Sequence, residues 1–355
     1  MDKVRLGVIG AGWWVTVNHL PLLARRDDVE LVAVCRLGAD VLRAVKNHFG
    51  FAHATEDYRE LLEFDLDGVI VGSPHALHYE HARAALERGL HVLCEKPMTL
   101  RPDEAWALVD LARRRGAHLL VPYGWHYTPF IEEAKRFMEG GAVGRVEYAL
   151  CHMASPTKDF FAGGGAVPSR WEPTLAAPDR ATWQAKEKGG GYGHGQITHA
   201  SALLFWLTNL RAAEVSARTA APSSGVDLYD AATVTFDQGA IGVISGAATL
   251  PDDDKFQIDL RIFGSEGALL LDVERERLEV RRHDGRHRHV DVPAGAGAYR
   301  CEVPPLRFVE LIQGRGGNNS PGEVAARSVE LIDAMYRSAA RNGEPATVYR
   351  RPGHA

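Results

Sequence analysis

Cysteine is scarce in this chain and never paired: the four residues, Cys35, Cys94, Cys151 and Cys301, lie far apart with no C-x-x-C spacing. That excludes a zinc ribbon and a disulfide framework, and it agrees with a reducing compartment. Positive charge is not in excess either. Lys and Arg number 41 against 46 Asp and Glu, for a formal net charge of −5, so no bulk field is available to hold a nucleic acid backbone. No stretch reaches the roughly 18 consecutive apolar residues of a membrane span. Met1 to Lys3 run straight into an apolar stretch, without the layout of an export signal. The expected setting is cytoplasmic, with neither nucleic acid nor membrane as partner. What the chain does have is 355 residues, 45% of them hydrophobic and 25% charged. That is enough for two domains with real cores and too apolar for intrinsic disorder.

Residues 1–122 alternate short β-branched runs with longer helical stretches, which predicts an α/β domain with a parallel sheet under helices. The predicted strands are Val4 to Ile9, Glu30 to Cys35, Gly68 to Val71, His91 to Cys94 and His118 to Pro122, all Val-, Leu- and Ile-rich as doubly buried strands are. Leu77 to Arg88 and Pro102 to Arg115 carry apolar positions three and four apart and read as crossover helices. A second domain, 123–355, is expected to begin near Tyr123: a helix (Ile131 to Glu139), then segments alternating apolar and polar residues. This is the pattern of an α+β domain with a large, mostly antiparallel sheet. Its predicted strands are Arg145 to Met153, Ala213 to Thr219, Ala232 to Phe236, Ala240 to Thr249, Phe256 to Phe263, Ala268 to Val273 and Leu278 to Arg282. The segment Ser155 to Tyr192, rich in Gly, Pro and Trp, is too long for an idle connection. Helices over Pro304 to Gln313 and Pro321 to Arg341 close the chain, in the second domain or packed back on the first.

The first strand ends in Gly10-Ala11-Gly12-Trp13-Trp14-Val15. Glycines here let the backbone turn tightly and approach a pyrophosphate held by the amides of the following helix, the arrangement of a Rossmann dinucleotide site. Gly10, Gly12, Trp13 and Trp14 are the predicted cofactor residues. Val15 stands where the third glycine of that fingerprint is usual. After the second strand, where an acidic residue normally binds the ribose hydroxyls, the chain has Arg36. A guanidinium suits a ribose 2′-phosphate, which leans the cofactor toward NADP, although it also stacks on adenine in an NAD enzyme.

Two further stretches, Val71-Gly72-Ser73-Pro74-His75-Ala76-Leu77-His78 and His91-Val92-Leu93-Cys94-Glu95-Lys96-Pro97, together with Gly189-Gly190-Gly191 ahead of His199, resemble the glucose-fructose oxidoreductase and inositol dehydrogenase family, called Gfo/Idh/MocA. The resemblance covers nearly the whole chain. It implies a nicotinamide-dependent oxidoreductase acting on a sugar, inositol or related polyol, with Lys96 and His199 at the reacting carbon. It also implies a cis Lys96-Pro97 bond, Ser73, Pro74, His78, Glu95 and Lys96 around the cofactor, and a homodimer or homotetramer built through the second domain's sheet. Many members carry an aspartate four residues before the histidine, where this chain has Gly195.

The chemistry reads independently of the resemblance. Alcohol oxidation needs a base for the hydroxyl proton as hydride leaves, and reduction needs the reverse. Lys96, at the carboxyl end of a strand, faces the crevice where open α/β sheets bind ligands, and a desolvated lysine can shuttle a proton near neutrality. Histidine suits the same exchange; with Gly195 in place of the acid, His199 acts alone or with His194, Gln196 or a group of the 155–192 segment. Trp125, His126 and Tyr127 offer aromatic faces and a polar tip to a sugar ring, or form a hydrophobic hinge. Arg170 and Trp183 represent the cations and aromatics of the long segment. No metal is expected: His75, His78 and His81 fall three apart and lack the i, i+4 pair of a zinc helix. Arg281 to His289 reads as an exposed hairpin tip around Asp284-Gly285. The leading function is hydride exchange between NAD(P) and a secondary alcohol of a sugar, polyol or sugar derivative. The alternatives are NAD-dependent glycoside cleavage through transient oxidation, and a non-catalytic NAD(P)-binding sensor.

Overall fold

The computed structural model describes residues 3–163, 172–222, 224–251 and 255–351. It divides into two compact units: Met1–Pro122, Val167–Thr182 and Cys301–Ala326 in the first, and Tyr123–Ala166, Trp183–Arg300 and Arg327–Ala355 in the second.

The first unit is built on six strands: β1 (Val4–Ile9), β2 (Val29–Cys35), β3 (His53–Thr55), β4 (Gly68–Val71), β5 (His91–Cys94) and β6 (Leu119–Leu120). All pair in parallel, in the order β3-β2-β1-β4-β5-β6. Their near-continuous Val, Leu and Ile content follows from burial on both faces, and β4 is buried at every position. β3, only three residues long and largely exposed, carries no apolar signal and is not predicted by pattern. The helix Val303–Ile312 belongs to this unit, and its Phe308, Val309 and Leu311 join the core of Leu6, Val8, Ile70 and Leu93. Gly68 makes room for it, since a Cβ there would lie 3.0 Å from Phe308.

The second unit holds nine strands: β7 (Val146–Ala154), β8 (Ala212–Ala220), β9 (Tyr229–Phe236), β10 (Ile241–Ala247), β11 (Gln257–Gly264), β12 (Gly267–Asp272), β13 (Arg277–Arg282), β14 (Arg288–Val290) and β15 (Ala346–Thr347). They run in the order β14-β13-β12-β11-β7-β10-β9-β8-β15, antiparallel except where β7 meets β10. Alternation is strict in β9, where Asp230, Ala232, Val234 and Phe236 point inward and the intervening residues outward. β9 begins three residues before the predicted Ala232 because a buried aspartate continues the inward row that apolar residues alone trace. The 281–289 run forms the β13–β14 hairpin, with Arg282 and Arg286 both paired to Asp284. The long 155–192 segment contains the short helices Lys158–Ala162 and Arg180–Gln184. Among the described residues no helix is long and apolar enough to cross a membrane.

Phe308 is fully buried, so Phe308→Ala is expected to cost about 3–5 kcal/mol of first-unit stability through lost burial and a cavity. Denaturant unfolding checks this; a loss under about 1 kcal/mol would show that the helix does not belong to that core.

Candidate functional site

The glycine turn works because two segments approach at backbone distance. Gly10 has φ 85°, and a Cβ on it would sit 2.2 Å from the Ser73 nitrogen, so only glycine lets the end of β1 lie against the turn after β4. A Cβ on Gly12 would meet nothing nearer than the Gly10 and Gly72 carbonyl oxygens at 3.9 Å, so this position is not closed by overlap. The missing third glycine is compensated elsewhere. Val15 occupies its place, and Gly72 at the end of β4 gives way: a Cβ there would lie 2.2 Å from Val15 Cγ2. Close packing is kept, with large and small partners exchanged. The chain continues into a wide π-type turn, Val15–His19, where Leu20 N–H donates to Val15 O. Trp13 and Trp14 pack edge to face with centroids 5.6 Å apart. Arg36 donates from Nη1 to the Ala11 carbonyl at 3.1 Å and from Nε to the Leu37 carbonyl at 3.1 Å, so its guanidinium is tied to the same turn. Close by, Gly38 N–H donates to Glu56 Oε1 at 2.6 Å.

The ends of β4 and β5 are bound together by buried side chains. His78, fully buried, has Nδ1 2.8 Å from the Pro97 carbonyl and Nε2 2.8 Å from the Ser73 carbonyl. Both ring nitrogens are engaged by backbone carbonyls, so His78 ties the two loops together. His81 Nδ1 lies 2.9 Å from Ser73 Oγ; burial pushes its imidazole down to about 4. His78 and His81 thus serve as loop fasteners, and among the described residues no group of metal-ligating side chains gathers. The Lys96-Pro97 peptide bond is cis. Lys96 follows β5 and is only partly exposed; burial pushes its amine down to about 8, against the opposing pull of the Glu95 carboxylate. Glu95, itself buried, accepts the Lys96 backbone N–H at 3.2 Å and stands 2.6 Å from His19 Nε2. His19 has no precedent in pattern reading: it lies 76 residues from its partner.

In the second unit, His199 opens the helix Thr198–Thr208 and is ringed by aromatic groups at centroid distances of 5.5 Å (Tyr123), 5.6 Å (Trp125) and 5.4 Å (Tyr299), all edge to face. Trp125 is further held by its Nε1–H on the Gly297 carbonyl at 3.2 Å. Of the predicted Trp125, His126 and Tyr127, Trp125 packs on His199, His126 stacks between Tyr123 and Trp206 at 5.3 and 4.9 Å, and Tyr127 is buried. Gly195 cannot be replaced by the missing aspartate without displacement, since a Cβ would lie 2.5 Å from Phe161 Cζ and 3.7 Å from Trp183 Cζ3. Trp183 in turn packs on Phe160 at 4.7 Å. Arg170 lies outside the described residues.

His194 faces elsewhere, with its ring 4.9 Å from Tyr336 and its imidazole pushed down by burial despite the neighbouring Asp227 charge. Asp227 accepts from Gly193 N–H at 2.8 Å and from Tyr336 O–H at 3.0 Å. Asp230 is 2% exposed and held well above the usual carboxylate range, first by burial and then by Asp227. This acid pair beneath the glycine-rich turn was missed by motif reading. Its one signal is an aspartate at an inward position of an alternating strand.

Comparison with known proteins agrees with this layout. Residues 4–123 match the sequence model of an oxidoreductase family with an NAD-binding Rossmann fold, and 131–270 match the GFO/IDH/MocA C-terminal domain. The chain is 29% identical over 353 residues, 95% of each chain, to dTDP-3,4-didehydro-2,6-dideoxy-alpha-D-glucose 3-reductase of Streptomyces violaceoruber. It is 27% identical, over 87% of its own length and 88% of the relative's, to a scyllo-inositol 2-dehydrogenase (NADP(+)) of Bacillus subtilis. Among solved structures it superposes on an oxidoreductase domain protein from Kribbella flavida with a TM-score of 0.79, at 23% identity over 99% of this chain and 100% of that one. A levoglucosan dehydrogenase in complex with NADH and levoglucosan gives 0.75, at 21% identity with the same coverage.

The exchange of Val15 and Gly72 makes a reciprocal prediction. Gly72→Ala should weaken dinucleotide binding at least about tenfold, and adding Val15→Gly should restore most of it. Titration of reduced-nucleotide fluorescence checks this, and a double variant no better than Gly72→Ala would contradict it.

Proposed function

This chain belongs to the Gfo/Idh/MocA oxidoreductase family, and from that premise we propose that it moves a hydride between a nicotinamide dinucleotide, held by the first unit, and a secondary alcohol of a sugar, polyol or sugar derivative. The observation that carries the reading is the Lys96 amine, pushed down to about 8 at the carboxyl end of β5, one strand removed from the glycine turn. When bound, the nicotinamide supplies or accepts the hydride. The proton is left to the chain. The neutral Lys96 amine accepts the hydroxyl proton in oxidation, and the ammonium polarises the carbonyl oxygen and returns the proton in reduction. His199 is proposed as the second proton-exchanging group, its ring oriented by Tyr123, Trp125 and Tyr299 where an aspartate at 195 would otherwise act. Trp125, His126, Tyr127, Arg170, Trp183 and His194 are proposed as the residues that bind the sugar.

For the cofactor, Arg36 leans the preference toward NADP, with Glu56 on the Gly38 amide as the opposing charge. We further propose a cytoplasmic homodimer or homotetramer assembled through the second unit's sheet. Support comes from its outer face, where Ile241 and Phe263, 55% and 41% exposed, both lie in register with Tyr148.

A panel of sugars, polyols and glycosides, assayed with NAD and with NADP for reduced cofactor and released aglycone, tests the reaction. Stoichiometric cofactor reduction is expected; aglycone release without it would transfer the reading to redox-neutral cleavage, and binding without turnover of any compound to a sensor. Lys96→Met should lower kcat/KM by about 10²–10⁴-fold while cofactor affinity holds, and a fully active variant would refute the assignment. Arg36→Asp should shift the NADP/NAD ratio of kcat/KM toward NAD by about tenfold or more; an unchanged ratio would remove Arg36 from cofactor choice.

A further inference from the structure

Lys96 is governed by a carboxylate that is itself held by a histidine from a distant part of the first unit. Glu95 and His19 are 7% and 1% exposed. Glu95 takes the Lys96 backbone N–H on Oε2 at 3.2 Å, while its Oε1 lies 2.6 Å from His19 Nε2. A carboxylate only accepts, so Nε2 is the protonated nitrogen of that contact. A charge-assisted bond this short, out of water, is among the stronger hydrogen bonds a protein makes. His19 ends the wide turn that follows Gly12, so a single side-chain bond joins the segment after the glycine turn to the strand end bearing the amine.

We infer that His19 is a positioning residue: by donating Nε2–H to Glu95 it fixes that carboxylate against Lys96 and thereby governs proton exchange at the lysine amine. The inference rests on the reading of Lys96 as the proton-exchanging group. Within the first unit, the titratable groups that bear on this cluster are few. From β5 itself comes Cys94, whose thiol burial and Glu95 keep protonated. From the helix His78–Glu87 comes His78, tied to the Pro97 carbonyl and within electrostatic reach of both Glu95 and Lys96. From the turn Val15–His19 comes His19.

The direction of the effect follows from the balance at Lys96, where burial lowers the amine and Glu95 raises it. Without the His19 donor the Glu95 side chain is free to turn away from the lysine. Its hold on the lysine proton weakens, and desolvation then acts unopposed. The amine should therefore become neutral at lower pH. A residue that served packing alone would change rate or stability and leave the pH profile where it was.

The test is the pH dependence of kcat/KM in the oxidation direction, measured on the full-length protein with a substrate found in the panel, alongside thermal melting and NADH titration for every variant. In the wild type the rate rises through a midpoint near the Lys96 value. His19→Leu is expected to move that midpoint down by about half a unit or more, and Glu95→Gln at least as far in the same direction. His19→Gln, which keeps a side-chain N–H, should recover more than half of the shift. If His19→Leu does not fold, His19→Asn, whose amide is too short to reach Glu95, is read in its place. A midpoint within about 0.2 unit of wild type, or one moved upward, overturns the inference when Lys96→Met is inactive. If Lys96→Met keeps both its rate and its pH profile, the role of Lys96 fails and takes that of His19 with it, a result distinguishable from the first.

Discussion

A lysine amine drawn partly out of water beside one carboxylate is the constraint on which the proposed chemistry depends. Burial makes the charged ammonium costly, and Glu95 repays part of that cost. Without burial the amine would hold its proton to higher pH, and without Glu95 it would lose it at lower pH. The rest of the first unit reads as support for that balance. β4 and β5 are short, parallel and wholly internal in their central positions, which leaves their carboxyl ends as the places where the chain may carry functional groups. Those ends are then tied: His78 between the Ser73 and Pro97 carbonyls, His81 on Ser73, His19 on Glu95. Such ties fix loops that glycine alone would leave free.

Two departures from the family pattern turn out to be steric exchanges. At the nucleotide turn, Val15 takes the place of a glycine and Gly72 becomes the small partner. In the second unit, Gly195 takes the place of an acid, and the ring edges of Phe161 and Trp183 fill the space a side chain would need. The first exchange keeps the close packing at the turn. The second removes a carboxylate from the turn before His199 and surrounds the imidazole with aromatic edges instead, which orient a ring without supplying a charge. The buried pair of Asp227 and Asp230 does not restore that charge at His199. Asp227 accepts from the Gly193 amide and the Tyr336 hydroxyl, beneath the turn that leads into the histidine's helix.

What was legible in the sequence was what periodicity and glycine spacing record. The parallel strands show as unbroken apolar runs because both faces are buried, the second sheet as alternation, and the turn at Gly10 as a residue that no side chain could replace. The Glu-Lys-Pro strand end was legible through family resemblance, and position alone would have left Lys96 one of many surface lysines. Other features leave no such trace. β3 is too short and polar to pattern, and β9 starts earlier than apolar residues indicate because Asp230 faces the core. His19 and Tyr299 meet Glu95 and His199 only through the fold, so no local window contains either pair. His78 and His126 also have partners that no local window contains: the Pro97 carbonyl for the first, the Trp206 ring for the second.

The balance at Lys96 can be observed without any assay of turnover. A nuclear magnetic resonance titration of the Lys96 side chain, assigned by comparison with Lys96→Arg, reads its proton directly. The account predicts a midpoint of about 8 in the free protein. A midpoint at the ordinary lysine value of 10.5 would mean that the amine stands in water, and would contradict the proton-exchange role proposed for it.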